Sequence, residues 1–179
     1  MTGRVFAVVG PSGVGKDTLL AGAAAASSDL HWARRTVTRP EATGGEPFEG
    51  VTPEEFDFLS GAGVFALQWP AHGLRYGIRN AEFDSLGRGV NVVFNGSRAA
   101  IPLALARFPD LVVLRISAPS KVLAERLAAR GRETAPEIEA RLARASYEVP
   151  AGLPVIDIAN DASPEIGISR LLCTLQAKG

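Results

Sequence analysis

The 179 residues are enough for one α/β domain with a sizeable core. Nineteen basic residues balance nineteen acidic ones, so the chain lacks the charge signature of a nucleic-acid or membrane-surface binder. A lone cysteine, Cys173, excludes an intrachain disulfide and a zinc-ligand spacing, and its apolar, helix-like tail predicts a buried, inert thiol. No apolar run reaches membrane-spanning length, and Met1 leads almost at once into a strand-like run. A cytoplasmic protein without a signal peptide is therefore the simplest expectation. Lys16, Lys121 and Lys178 are the only lysines. The arginine excess reflects either genomic composition or phosphate recognition, for which arginine is the better bidentate donor.

In chain order, Val5–Val9 is a β-branched apolar run ending at Gly10, the pattern of a buried parallel strand. A glycine-rich turn follows, then a helix over Asp17–Ala26. Trp32–Thr38 reads as one strand and Pro40–Pro53 as a loop rich in Gly, Pro and Glu. Glu54–Ser60 reads as a short helix after Thr52 and Pro53, and Val64–Trp69 and Arg75–Ile78 as strands flanking a turn at His72-Gly73. Val90–Phe94 is a further buried strand, Arg98–Arg107 a helix and Leu111–Ile116 a core strand. Lys121–Arg130 is an amphipathic helix stopped by Gly131. Thr134-Ala135-Pro136-Glu137 is a capping-box pattern opening a helix to about Tyr147. Val155–Ile158 and Pro164–Gln176 close the chain as strand and helix. The alternation predicts an α/β fold with a parallel central sheet flanked by helices.

Gly10-Pro11-Ser12-Gly13-Val14-Gly15-Lys16 has the spacing of a phosphate-binding P-loop, in the required context between a strand and a helix. Glycines let successive backbone N–H groups turn toward phosphate oxygens, and the helix N-terminus adds partial positive charge. Lys16 is placed to reach the β- and γ-phosphates of ATP. The pattern asks for Ser or Thr next, to hold Mg²⁺; here Asp17 stands there, with Thr18 after it. A carboxylate beside a triphosphate is repulsive unless a cation intervenes. Asp17 or Thr18 thus ligates Mg²⁺, directly or through water, or Asp17 complements the helix dipole. The strand over Val90–Phe94 ends in the neutral Asn95, so no second acidic ligand is evident.

The loop, the stretch RRTVTRP at 34–40, HGLRYGI at 72–78 and LAERLAARG at 123–131 resemble guanylate kinase, in order and over nearly the whole chain. The resemblance implies a single P-loop kinase domain with an acceptor-binding insertion at about 34–80 and a mobile lid at about 131–145. It implies that Thr38, Arg39 and Tyr76 grip an acceptor phosphate, that Asn160 lies beside adenine, and that Arg126, Arg130 and Arg141 lie over the triphosphate. Asn160 reads equally as a loop Asx turn with Asp161. The arginines read otherwise as a solvated helix face, and Arg132 and Arg144 as surface charges. The guanine-reading positions depart from that family: Leu67 and Ile78 stand where polar groups belong, and Asn95 replaces an Asp. Buried purine edges need polar partners, so such a pocket discriminates against guanine.

Four segments are instead similar to ribose 1,5-bisphosphate phosphokinase of phosphonate breakdown (the PhnN type): Gly15-Lys16-Asp17, Thr38-Arg39-Pro40, the run from Trp69 to Ile78, and Asn95-Gly96-Ser97-Arg98. That resemblance implies ATP- and Mg²⁺-dependent phosphorylation of a small phosphorylated sugar at its 1-phosphate, giving 5-phospho-α-D-ribosyl 1-diphosphate. Arg39, Arg75 and Arg98 suit its phosphates and Asn95 and Ser97 its hydroxyls. His72 either contacts substrate or packs beside Trp69. Three other readings stand beside it: a nucleoside-monophosphate kinase with a relaxed base pocket, a non-catalytic guanylate-kinase-like binding module, against which Gly15, Lys16 and the lid arginines argue, and an ATPase or regulator that uses the same loop without an acceptor.

Overall fold

In a computed structural model, which describes residues 2–11, 13–41, 46–129, 131, 134–143, 149 and 152–177, the first apolar run is strand β1 (Val5–Val9). Helix α1 (Lys16–Ala26) follows the P-loop, then β2 (His31–Trp32), β3 (Arg35–Val37), β4 (Phe48–Gly50) and α2 (Pro53–Gly61). Next come β5 (Phe65–Ala71), β6 (Leu74–Arg79), a 3-10 segment (Asn80–Arg88), β7 (Val92–Asn95) and α3 (Ala100–Arg107). The chain continues through β8 (Val112–Ser117), α4 (Ser120–Ala129), α5 (Ala135–Ala143), β9 (Val155–Ala159) and α6 (Pro164–Gln176).

The main sheet has the order β2-β7-β1-β8-β9 and every pairing in it is parallel. Strand alternation explains why β1 is apolar at every position. Val5, Ala7 and Val9 face one core with Phe94, Val113 and Ile101 of α3. Phe6 and Val8 face a second core with Leu19 and Leu20 of α1 and Leu171 and Leu175 of α6. Each large side chain so buried stabilises the fold by ~1.5–3 kcal/mol. With β1 between β7 and β8, the P-loop emerges at the carboxyl ends of the central strands, where open α/β sheets form their crevice.

A second sheet, ordered β4-β3-β6-β5, combines parallel and antiparallel pairs. Arg35 pairs with Ile78 and Val37 with Tyr76, so these four share one face. On that face Leu67, Trp69 and Ile78 join the first core, which joins the two sheets. On the other, Thr36 and Arg79 both donate to Glu49, and Phe65 stacks on Phe56 of α2 at 4.7 Å. The start of α2 is a full capping box: Thr52 Oγ1 accepts from the Glu55 N–H, and the Glu55 carboxylate accepts from the Thr52 N–H. At the second such pattern, the Glu137 carboxylate accepts from both the N–H and the hydroxyl of Thr134.

Four expectations change. Trp32–Thr38 is not one strand. The Ala33 N–H still donates to Val93 of the parallel sheet, whereas Arg35 pairs in the second sheet. Side-chain alternation does not show which sheet a strand joins. Within the expected loop, Phe48–Gly50 forms β4, three residues being too short for a periodic pattern. The 3-10 segment was not expected; it packs Phe83 on Phe108 at 4.6 Å. Cys173 is exposed rather than buried, because Gly167, Leu171 and Leu175 define the inner face of α6 and Cys173 lies on the other side. Among the described residues no helix is long and apolar enough to cross a membrane.

Candidate active site

The loop is shaped by two glycines of positive φ, Gly13 (85°) and Gly15 (94°), which place Val14 at a fully buried tip. A Cβ on Gly15 would lie 2.7 Å from Asn160 Nδ2. Two side chains from distant segments brace the Val14 carbonyl: Asn160 Nδ2 donates at 2.7 Å and Arg126 Nη1 at 3.2 Å. No side chain caps α1, so the N–H groups of its first turn are left for a ligand. Lys16 Nζ donates to the Gly10 carbonyl at 3.0 Å. Burial, reinforced by the nearby Arg35 charge, holds the Lys16 ammonium below the usual lysine range, against the pull of Asp17 and Glu46.

Across the crevice stands a network that joins the two sheets. Asn95, at the carboxyl end of β7, donates from Nδ2 to Asp17 Oδ1 at 3.0 Å and to Glu46 Oε2. Arg35 Nη2 donates to the same Glu46 oxygen at 3.0 Å, and both side chains of this ion pair are only 13% exposed. The Arg35 guanidinium lies over the Tyr76 ring at 5.5 Å, and Tyr76 stacks on Trp69. Burial raises the Glu46 carboxyl above its usual range, more than the Arg35 charge and the Asn95 hydrogen bond lower it. Two donors near this network are buried without a partner, Arg35 Nε and, two residues beyond Asn95, Ser97 Oγ. Orphaned buried donors of this kind suit a polar ligand.

The residues expected from sequence divide accordingly. Gly10, Pro11, Gly13, Val14, Gly15 and Lys16 form the loop, with Asp17 and Thr18 exposed on the first turn of α1. Ser12 and Arg130 lie outside the described residues, as do Arg132 and Arg144; Arg141 is on α5, and its side chain is also outside them. Asn160 is 5% exposed beneath the loop, where its Nδ2 supports Val14 and its Oδ1 makes no Asx turn. Tyr76, Asn95 and Ser97 are at the crevice. Arg75 is not brought there: its guanidinium binds Asp57 of α2 and the Pro53 carbonyl and lies over the Phe56 ring. The Thr38 hydroxyl accepts from the Arg75 N–H, and Arg39 lies over the Phe48 ring at 4.3 Å. His72 is exposed at the tip of the β5–β6 hairpin, with the positive φ (52°) that a two-residue turn of this kind requires. Arg98 is exposed just before α3. Leu67 and Ile78, 3% and 0% exposed, which the guanylate kinase resemblance aligns with base-reading positions, are core residues.

Two members of the network, Arg35 and Glu46, were not singled out from sequence. Arg35 had a usable indication, since alternation with Val37 puts it on the inner face of β3. Glu46 had none, being one of several acids in a polar stretch.

No protein-family model matches the chain. It is 46% identical over 178 residues to "Ribose 1,5-bisphosphate phosphokinase PhnN" of Ruegeria sp. (strain TM1040), covering 98% of this chain and 93% of that protein. It is 48% identical over 157 residues to the protein of the same name from Chromobacterium violaceum, covering 87% and 85%. It is 47% identical over 176 residues to a "Bifunctional ribose 1,5-bisphosphokinase-thymidine phosphorylase" of Cupriavidus necator, of which it spans 29% against 98% of its own length. A crystal structure of guanylate kinase from Anaplasma phagocytophilum superimposes with a TM-score of 0.71 over 99% of this chain and 86% of that one. At 21% identity this likeness speaks to the fold, a P-loop kinase architecture with a parallel sheet between helices.

Proposed function

Since the chain belongs to the ribose 1,5-bisphosphate phosphokinase family, we propose that it transfers the γ-phosphoryl group of ATP to the 1-phosphate of ribose 1,5-bisphosphate, giving 5-phospho-α-D-ribosyl 1-diphosphate. The observation that carries this reading is the meeting, through Asn95, of a phosphate loop with the buried Arg35–Glu46 pair, on a wall that holds Leu67 and Ile78 where a base would need polar partners. In this reading the 34–80 segment with its sheet is the acceptor-binding insertion, and residues 131–145 are the lid. The setting is the cytoplasm and, as the family resemblance implies, phosphonate breakdown.

An oxygen of the acceptor's 1-phosphate attacks the γ-phosphorus, and the bond from that phosphorus to the β–γ bridging oxygen breaks, releasing ADP. The attacking oxygen is already ionised, so no strong general base is needed; catalysis rests on alignment and charge stabilisation. Lys16 leaves the Gly10 carbonyl for the β- and γ-oxygens. Arg126, already at the loop, neutralises charge on the moving phosphoryl, joined by Arg130 and, from the lid, by Arg141. Lid closure excludes water and so suppresses ATP hydrolysis.

Asp17 fits a magnesium ion: its Oδ1 is held by Asn95, its side chain is exposed, and it sits beside the open N-terminus of α1. Mg²⁺ keeps several waters and takes phosphate oxygens, so one or two protein oxygens suffice to hold it. Asp17, with Thr18, would hold it, and it would offset phosphate charge.

The test is ADP release with ATP and Mg²⁺, comparing ribose 1,5-bisphosphate with GMP, and the product identified by its phosphorus resonances. Turnover with the sugar bisphosphate and none with GMP is the expected result. Turnover with GMP alone replaces this reading with a nucleotide kinase.

A further inference from the structure

The acceptor proposed above has two phosphates and one uncharged part, a ribose ring with vicinal hydroxyls at C2 and C3. The crevice contains a charged group that cannot serve the phosphates. Glu46 is a carboxylate 13% exposed, linked through Asn95 to a second carboxylate, Asp17. Against a phosphate it would be repulsive. Its two oxygens differ. Oε2 accepts from both Arg35 Nη2 and Asn95 Nδ2, whereas Oε1 accepts no hydrogen bond among the described residues. The two protein donors thus fix the carboxylate through one oxygen and leave the other to a ligand that donates hydrogen bonds. Arg35 offers the complement, a buried Nε–H without an acceptor.

The donors available to Oε1 are few. Phosphates ionised near neutral pH donate little, and the acceptor proposed above carries no base. A vicinal diol remains, and a carboxylate is the usual partner of ribose hydroxyls in nucleotide sites. Resting on the functional reading above, we propose that Glu46 recognises the ribose ring of the acceptor: Oε1 accepts hydrogen bonds from the 2- and 3-hydroxyls, while the Nε–H of Arg35 donates to an acceptor phosphate. Glu46 is then a specificity-determining residue that selects ribose over deoxyribose. Burial, which holds its carboxyl above the usual range, acts in the same direction: it leaves the charge poorly solvated, and hydroxyl donors supply what water does not.

The experiment compares ribose 1,5-bisphosphate with 2-deoxyribose 1,5-bisphosphate as acceptor, in the wild type, Glu46→Ala and Glu46→Gln. The wild type is expected to favour the ribose compound by more than ~30-fold in kcat/KM, because a site built to bond a hydroxyl rejects the analogue lacking it. In Glu46→Ala that preference is expected to fall within ~3-fold, through a larger loss on the ribose compound than on the deoxy compound, which has only the 3-hydroxyl bond to lose. Glu46→Gln, which keeps the shape and one acceptor oxygen, should fall between. The ratio is read within each preparation, so a reduced folded fraction cancels. An unchanged ratio in Glu46→Ala, with both substrates weakened alike, overturns the proposal and leaves Glu46 as a strut between the two sheets. Equal wild-type turnover of the two sugars also overturns it. Wild-type turnover of neither sugar overturns the functional reading, and this inference with it, so the two failures are distinguishable.

Discussion

The two walls of the crevice are built by different means. The phosphate wall is continuous in sequence, from Gly10 to Lys16, and presents chiefly backbone N–H groups and one mobile ammonium. The wall proposed to bind the acceptor is drawn from β3, the segment before β4, β6 and the end of β7, and presents side chains, two of them buried and charged. Phosphate recognition needs only a turn of defined shape, which one window of sequence can encode. Recognition of a particular acceptor needs groups converging from several strands, and each window holds only one of them. The walls share one physical cost. Burial disfavours the charge of Lys16 on one side and of Glu46 on the other, so both gain when a ligand of suitable charge or donors arrives.

The sharpest way to break this contrast is to remove the one side chain on which the phosphate wall depends. Lys16→Ala should lower kcat by ~10²–10³-fold, with its melting temperature near that of the wild type. A loss under tenfold in steady-state ADP release would mean that the backbone alone carries the phosphates. On the acceptor wall, Arg35→Ala should raise the KM for the acceptor more than ~10-fold and leave that for ATP within ~2-fold. It should also cost ~3 kcal/mol of stability, because a buried carboxylate is left without its cation. An equal rise in both KM values would mean that the two walls are not separate in function.

These expectations bear on what was legible in the residues themselves. The β1–loop–α1 unit was readable because a fully apolar strand, a glycine pattern and a helix start fall within 22 residues and reinforce one another. The apolar character of Leu67 and Ile78 was readable too, and both are packed in the first core. The Arg35–Glu46 pair was not, because nothing local links residue 35 to residue 46 or either to Asn95. Arg75 misled for a related reason. It stands beside Tyr76, but successive residues of a strand face opposite ways, and it turns to α2 while Tyr76 turns to the crevice.

Smaller effects sharpen the same division. Gly15→Ala asks a residue with a Cβ to hold φ 94° and to sit 2.7 Å from Asn160 Nδ2. The backbone strain alone is worth ~1–2 kcal/mol, or about 2–8 °C in Tm for a chain of this size. Adding Asn160→Ala should relieve the contact but not the strain. Full recovery of Tm in the double variant would show that the loop tolerates a side chain there. Arg75→Ala, on the outer face, should change kcat/KM for the acceptor by less than ~3-fold. A larger loss would bring that guanidinium into the acceptor wall after all.

The least of the expected effects is a matter of pH. In the folded protein Glu46 keeps its proton to higher pH than in the unfolded chain, because burial raises its carboxyl above the ordinary 4.5 despite Arg35 and Asn95. Where the folded state binds more protons than the unfolded one, stability falls as pH rises. The contribution of Glu46 is therefore fully present below about pH 4.5 and is lost as pH climbs through the raised folded value. Glu46→Gln is neutral throughout and lacks this dependence. The Tm of the wild type minus that of Glu46→Gln should accordingly be largest near about pH 4 and decline toward neutrality. A difference that stays flat across that range would mean that Glu46 titrates as it does in water. The acceptor wall would then be hydrated, and its contrast with the phosphate wall would lie in geometry alone.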